Sequence, residues 1–297
     1  MTEQSTFNWS AWGLAIRPRT LPAAAAGVVM GSALAWRDGF FRLDATLACL
    51  MAALLLQIGS NLANDVFDFE RGTDTPERLG PTRVMQAGLL TPLQVKLGMG
   101  VVFGLAALLG LYLAWLGGWP IILIGIAAII SAIAYTGGPF PLGYYGLGDI
   151  FVFIFFGLAS VAGTYYVQAG FVSAAAWWMT IPPGLIITAI LVVNNLRDLE
   201  NDRKAGKHTL AVIFGERATK IQYLICMLAA YLVLPFAAWM GIVSWFSMLA
   251  WLSMPIAIRA ARVVFTQKGR PLNAALAGTG QTALVFSLLF WVGMLFK

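Results

Sequence analysis

Residues 60–74 read SNLANDVFDFERGTD and residues 194–209 read NNLRDLENDRKAGKHT. Each begins where a long apolar run ends, the first at 45–64 and the second at 174–195. In the first, Asn61, Asp65 and Asp68 recur about one helical turn apart; in the second, Asn194, Asp198 and Asp202 recur at i, i+4 and i+8. Both sets fall on one face of a helix. Asparagine, three residues, aspartate therefore occurs twice, four apolar runs apart, the mark of a duplicated helical unit. Outward from these motifs, 60% of the 297 residues are hydrophobic and 11% are charged, where soluble domains carry about a quarter. A bilayer core needs roughly 20 apolar residues per spanning helix. Nine such windows are present, at 20–36, 45–64, 92–116, 119–135, 148–168, 174–195, 219–240, 244–265 and 272–296. The expected fold is thus an all-α integral membrane protein of nine transmembrane helices, a single domain over 1–297. Its two long polar connections, 65–91 and 196–218, carry the motifs.

The charge pattern orients the chain. If residues 1–19 are a retained cytoplasmic segment, all 19 Lys and Arg except Arg37, Arg42 and Lys297 fall on the cytoplasmic side, as the positive-inside rule requires. Both motif connections then share that face with YTGGPFPLGYYGLGD at 135–149. The formal charge of +6 finds its account there rather than in nucleic acid, since no basic face interleaved with aromatics lies outside the spans. Cys49 and Cys226 both fall inside spans and support neither a disulfide framework nor a zinc site.

Like charges at i and i+4 destabilise an isolated helix, and nearby lipid adds to that cost, so a positive partner is expected. Hard carboxylate oxygens at this spacing suit Mg²⁺, which binds through one or two carboxylates together with substrate phosphates. Two such clusters suit a diphosphate bridged by metal; a single DxxD would be read as a helix end facing water. Because both lie at solvent-facing helix ends in this reading, Asp65→Ala and Asp198→Ala are expected to lose turnover while expression and membrane insertion stay intact. Basic residues follow each cluster: Arg71, Arg78 and Arg83 after the first, and Arg203, Lys204 and Lys207 after the second. Arg78, Arg83 and Lys207 are the chosen diphosphate contacts, because Gly80, Pro81 and Gly206 turn the chain near them. Orientation charge is the plainer account of each. No nucleotide-binding glycine motif is present, and the sole histidine, His208, lies in a cationic loop without the partners of a nucleophilic triad.

On these motifs the chain resembles the UbiA-type intramembrane prenyltransferases over essentially its whole length. The stretches RPRTLPAA, NDVFDFERGTDTPERLGPTRVMQAGLLTP, YTGGPFPLGYYGLGDIFVFIFFG and NNLRDLENDRKAGKHTLAVIFG look like the branch that acts on 1,4-dihydroxy-2-naphthoate in the menaquinone pathway. The resemblance implies a nine-helix bundle around a central cavity open to the cytoplasm. In it Asp65, Asp68, Asp198 and Asp202 hold Mg²⁺ on a polyprenyl diphosphate, with Asn61 and Asn194 assisting. Ionisation then gives an allylic cation that the acceptor ring attacks with loss of CO₂. One departure is Gly72, where the family often has a carboxylate; Asp74 is carried over for that role, with Glu70 its competitor. Arg17 is a contact for the acceptor carboxylate, and Gln57, polar within an apolar helix, faces the cavity or bonds a neighbouring helix. Tyr135, Tyr144 and Tyr145 are candidates for holding the cation by their π faces. Rival readings are a secondary transporter, against which the acids lie at span ends rather than mid-membrane; a sibling enzyme using 4-hydroxybenzoate, homogentisate or haem; and a phytyl donor in place of polyprenyl. A phosphatidyltransferase would need a DGxxAR opening that the chain lacks.

Overall fold

The computed structural model describes residues 8–72 and 79–296 and contains no strand among them. A short helix α1 (Trp9–Ile16) is capped by Asn8, whose side chain accepts from the Ala11 N–H. Nine apolar helices follow among the described residues: α2 (Leu21–Arg37), α3 (Leu43–Glu70), α4 (Pro92–Gly117), α5 (Trp119–Ala134), α6 (Gly148–Ala169), α7 (Ala174–Lys204), α8 (Leu210–Trp239), α9 (Trp245–Thr266) and α10 (Leu272–Met294). They correspond one to one with the nine expected spans. Hydrocarbon offers no water to backbone groups, so apolar runs of this length satisfy them as helix, and local signals set the ends. Thr91 and Gln94 form a reciprocal capping box at the start of α4. In α6, residues Phe153–Ala162 are wound as a π-helix.

The motif connections are shorter as loops than the expected 65–91 and 196–218. α3 runs on to Glu70 and α7 to Lys204, while α8 starts at Leu210 and bends at Gly215 (φ 80°). Carboxylates at helical spacing read as loop residues once the apolar run stops, but their backbone continues the helix and turns their face inward. Asp74 and Arg78 lie outside the described residues.

Large side chains of α2, α7, α8 and α10, including Met30, Ile186, Tyr223, Phe286 and Phe290, fill the main core. α1 packs Ala11 and Ala15 against Leu62, Val66, Val84 and Met85, so the N-terminal segment closes over the motif end of α3. On α4 the opposite holds: Leu97, Val101, Leu105, Leu108 and Leu111 are 47–64% exposed along one face. A stripe of that size is incompatible with water and fits lipid. Several helices meet through glycine, as membrane helices do. A Cβ on Gly27 of α2 would lie 2.3 Å from Ser160 Oγ and 2.8 Å from the Phe156 carbonyl oxygen of α6. Because backbone cannot give way, Gly27→Leu is expected to lower the melting temperature of the detergent-solubilised protein, by overpacking worth about 1–3 kcal/mol; an unchanged melting curve would contradict this packing.

Candidate active site

α3 and α7 bring their acidic ends to the same end of the bundle. Asn61, Asp65 and Asp68 are all buried on the inner face of α3, Asp65 to 1% exposure. Asp202 is buried on α7, and the Asp198 side chain keeps 16% exposure. The turn after α7 is built by Gly206 in the left-handed conformation (φ 70°), with Gly206 N–H donating to the Arg203 carbonyl (3.2 Å) and Lys207 N–H to the Asp202 carbonyl (2.9 Å). This Schellman closure needs a residue without a Cβ at its left-handed position. It folds Lys207 back over the helix end, where its Nζ lies 3.6 Å from Asp202 Oδ1 and 3.8 Å from Asp68 Oδ1. One ammonium thus bridges the two motifs.

Every one of the four aspartates meets a cation. Asp65 is paired with both Arg17 and Arg83. Arg83 also donates to Asp68 (2.5 Å), and its side chain is only 5% exposed. Asp198 receives a fork from Arg197, Nε to Oδ1 at 2.9 Å and a terminal nitrogen to Oδ2 at 2.5 Å. Burial of this much like charge is tolerable only with such compensation. Tyr144 donates to Asp68 Oδ1 (3.0 Å), and its ring lies under Lys207 Nζ (4.5 Å) and the Arg71 guanidinium (5.4 Å). Burial pulls the Lys207 ammonium down, but the Asp68 and Asp202 carboxylates, with Tyr144, outweigh it and hold its pKa above the usual lysine value. Tyr135 is pushed well above the usual phenol range by burial first, then by the charges of Asp149, Asp202 and Asp68 around it.

The remaining expected contacts divide. Gln57 donates to Thr20 (3.3 Å) and to Asn61 Oδ1 (3.2 Å), and Asn61 donates to Thr20 and the Ile16 carbonyl (3.0 Å each), so these amides clamp α3 to the segment carrying Arg17. Arg17 itself adopts a left-handed backbone (φ 53°), the one described non-glycine residue to do so, just before Pro18. Such strain is held where surroundings over-determine it, here by the α1 closure, Arg17 N–H to the Leu14 carbonyl, and the Asp65 pair. Tyr145 is not in the site: it is 48% exposed and stacks on Phe140 at 4.0 Å between centroids. Glu70 pairs with Lys96 (2.5 Å) and Arg203 with Glu200 (3.0 Å), both half-exposed and away from the acidic faces. His208 is exposed; its backbone N–H donates to the Tyr144 carbonyl (2.7 Å) and ties the two connections together.

Sequence reasoning passed over Arg197, Asn273, Thr20 and Asp149. Asn273 was legible as a lone amide opening an apolar helix, while Arg197 was masked by its place beside Asp198. Thr20 and Asp149 gave no such signal; Asp149 is buried at the start of α6, where Gln222 donates to it (3.0 Å).

The donor set is oxygen-rich and suits a hard cation. Among the described residues no three acid, cysteine or histidine side chains converge on one point.

Among the described residues, nine apolar helices with two acidic, cation-lined helix ends at one side define a multi-pass membrane protein. The chain belongs to the UbiA prenyltransferase family, whose model matches residues 24–278. It is 39% identical to 1,4-dihydroxy-2-naphthoate octaprenyltransferase of Escherichia coli (strain K12), covering 99% of this chain and 98% of that one. It is 40% identical to the protein of the same name from Mycobacterium tuberculosis (strain ATCC 25618 / H37Rv), covering 95% of each. The fold matches a UbiA homolog from Archaeoglobus fulgidus bound to DMAPP and Mg²⁺, with a TM-score of 0.64 at 14% identity over 94% of this chain and 99% of that one.

Proposed function

We propose that this protein transfers a polyprenyl group from an allylic diphosphate to 1,4-dihydroxy-2-naphthoate, releasing diphosphate and CO₂ and leading to demethylmenaquinone. The observation that carries the reading is the meeting of two acidic helix ends across Lys207, in a chain alike over nearly its full length to relatives that bear this activity's name.

Asp65, Asp68, Asp198 and Asp202 would hold the metal, with Asn61 and Asn194 behind them and Asp74 completing the first motif. Mg²⁺ bound there supplies charge neutralisation to the departing diphosphate. Lys207 and Arg83, already among the carboxylates, turn to phosphate oxygens when the substrate arrives, and Arg78 joins them. The Tyr144 face, which now receives two protein cations, is the surface best suited to the allylic cation, and buried Tyr135 walls the same space. Arg17, which pairs with Asp65 beside the site, is the cation assigned to the acceptor carboxylate. In the transfer, the carbon–oxygen bond of the diphosphate breaks, the acceptor ring carbon bonds the prenyl C1, and that ring carbon loses its carboxylate as CO₂. The resulting hydroquinone gives demethylmenaquinone by a later two-electron oxidation. The distribution of Lys and Arg supports placing the site and the N-terminus on the cytoplasmic face.

An acceptor panel tests the substrate. Purified protein given farnesyl diphosphate with 1,4-dihydroxy-2-naphthoate, 4-hydroxybenzoate or homogentisate in turn is expected to prenylate the naphthoate at least about a hundredfold faster by kcat/KM, the scale on which sites built for a substrate's polar groups discriminate. Preference for either other acid would keep the chemistry and overturn the acceptor.

A further inference from the structure

Arg197 has no part in the chemistry above, yet every nitrogen of its guanidinium is committed. Nε and one terminal nitrogen grip the two oxygens of Asp198; that terminal nitrogen also donates to Asn194 Oδ1 (2.8 Å), and the other donates to Asn273 Oδ1 (2.7 Å) at the start of α10. Its side chain is 1% exposed. The Asn273 amide nitrogen donates in turn to the Leu79 carbonyl (2.9 Å), on the segment that leads to Arg83 and so to Asp65 and Asp68. A continuous set of hydrogen bonds therefore runs from the second acidic motif, through α10, to the segment serving the first.

A charge kept for membrane orientation would face water, which Arg197 does not. A charge kept only to neutralise Asp198 would need no fork and no amides to hold it. A guanidinium fixed by four acceptor contacts cannot swing aside when a ligand enters, whereas Asp198 retains an open edge: an ionised carboxylate offers about four lone-pair sites and the fork uses two. We propose that Arg197 is a positioning residue which presents the free edge of Asp198 to the metal and diphosphate, and which fixes, through Asn273, the spacing between the second motif and the segment bearing Arg83. This rests on the metal and diphosphate reading given above.

The test is metal binding without turnover. Wild type, Arg197→Lys, Arg197→Gln and Asn273→Ala are purified in detergent, checked for monodispersity and melting temperature, and titrated with Mn²⁺ in the presence of non-ionising farnesyl thiolodiphosphate, with free Mn²⁺ read by electron paramagnetic resonance. Loss of a partner that orients a metal ligand typically weakens metal affinity by about 10- to 100-fold, and both Arg197 variants are expected to show that loss, with the KM for naphthoate within about twofold of wild type. Lysine keeps the charge but not the fork, so wild-type Mn²⁺ affinity in Arg197→Lys overturns the proposal, as does activity lost from either variant with Mn²⁺ affinity intact. Should the Arg197 variants fail to fold, Asn273→Ala carries the test: removing one of the four contacts is expected to weaken Mn²⁺ binding about fivefold, and wild-type affinity there overturns the proposal. Wild type that binds no Mn²⁺ under these conditions removes the metal reading itself, and the Arg197 role with it.

Discussion

Asp65→Asn is expected to lower kcat/KM by at least about a thousandfold while leaving a folded, membrane-inserted protein. The magnitude follows from losing one charged ligand at a site where metal charge lowers the barrier by several kcal/mol, each 1.36 kcal/mol being tenfold. Asparagine is the informative replacement. Asp65 is 1% exposed and pairs with Arg17 and Arg83, so alanine would remove the accepting oxygens along with the charge, whereas asparagine removes the charge and keeps an acceptor oxygen at the same place. The expectation that Asp65→Ala inserts undisturbed, drawn from a helix end facing solvent, is corrected by that burial. Asp198 keeps 16% exposure of its side chain, and Asp198→Asn is expected to lose activity comparably. Steady-state kinetics beside size-exclusion profiles decides: wild-type turnover in either variant contradicts the metal assignment.

Lys207→Met is expected to raise the KM for the allylic diphosphate by about 10- to 100-fold, the equivalent of one charge-assisted hydrogen bond, with the KM for naphthoate within about twofold. Methionine retains the stem that the Gly206 turn lays over the helix end and removes only the ammonium between Asp68 and Asp202. Because its pKa is raised, the ammonium's stabilising contact is fully present below the ordinary lysine value and is lost only as pH rises through the raised one. The KM effect is therefore expected to be constant between about pH 6 and 9. An effect confined to naphthoate would place Lys207 on the acceptor side instead.

What could be read without coordinates was whatever repeats. Nine apolar runs of bilayer length carry the architecture, and Asn61, Asp65, Asp68 against Asn194, Asp198, Asp202 carry the paired site, because helical spacing places side chains on a common face whatever the tertiary detail. What could not be read was partnership across the chain. Nothing in RPRT says that Arg17 meets Asp65, 48 residues on, or that Arg83 reaches two carboxylates at once. Nor does the row of tyrosines at 135–145 distinguish Tyr144, bonded to Asp68, from Tyr145, stacked outward on Phe140. A tyrosine near a membrane surface has the same composition signal whether it anchors or serves a site. Arg197 was hidden for another reason: next to Asp198 in sequence, it reads as an exposed neighbour until the helix is seen to continue past it.

The central claim is that the two acidic helix ends act together on a metal-held diphosphate. Its most direct test is product formation by the purified protein from farnesyl diphosphate and 1,4-dihydroxy-2-naphthoate, read by mass spectrometry with Mg²⁺ and again with EDTA. The account predicts a prenylated, decarboxylated naphthoquinone with Mg²⁺ and none with EDTA. An equal yield in EDTA would contradict it.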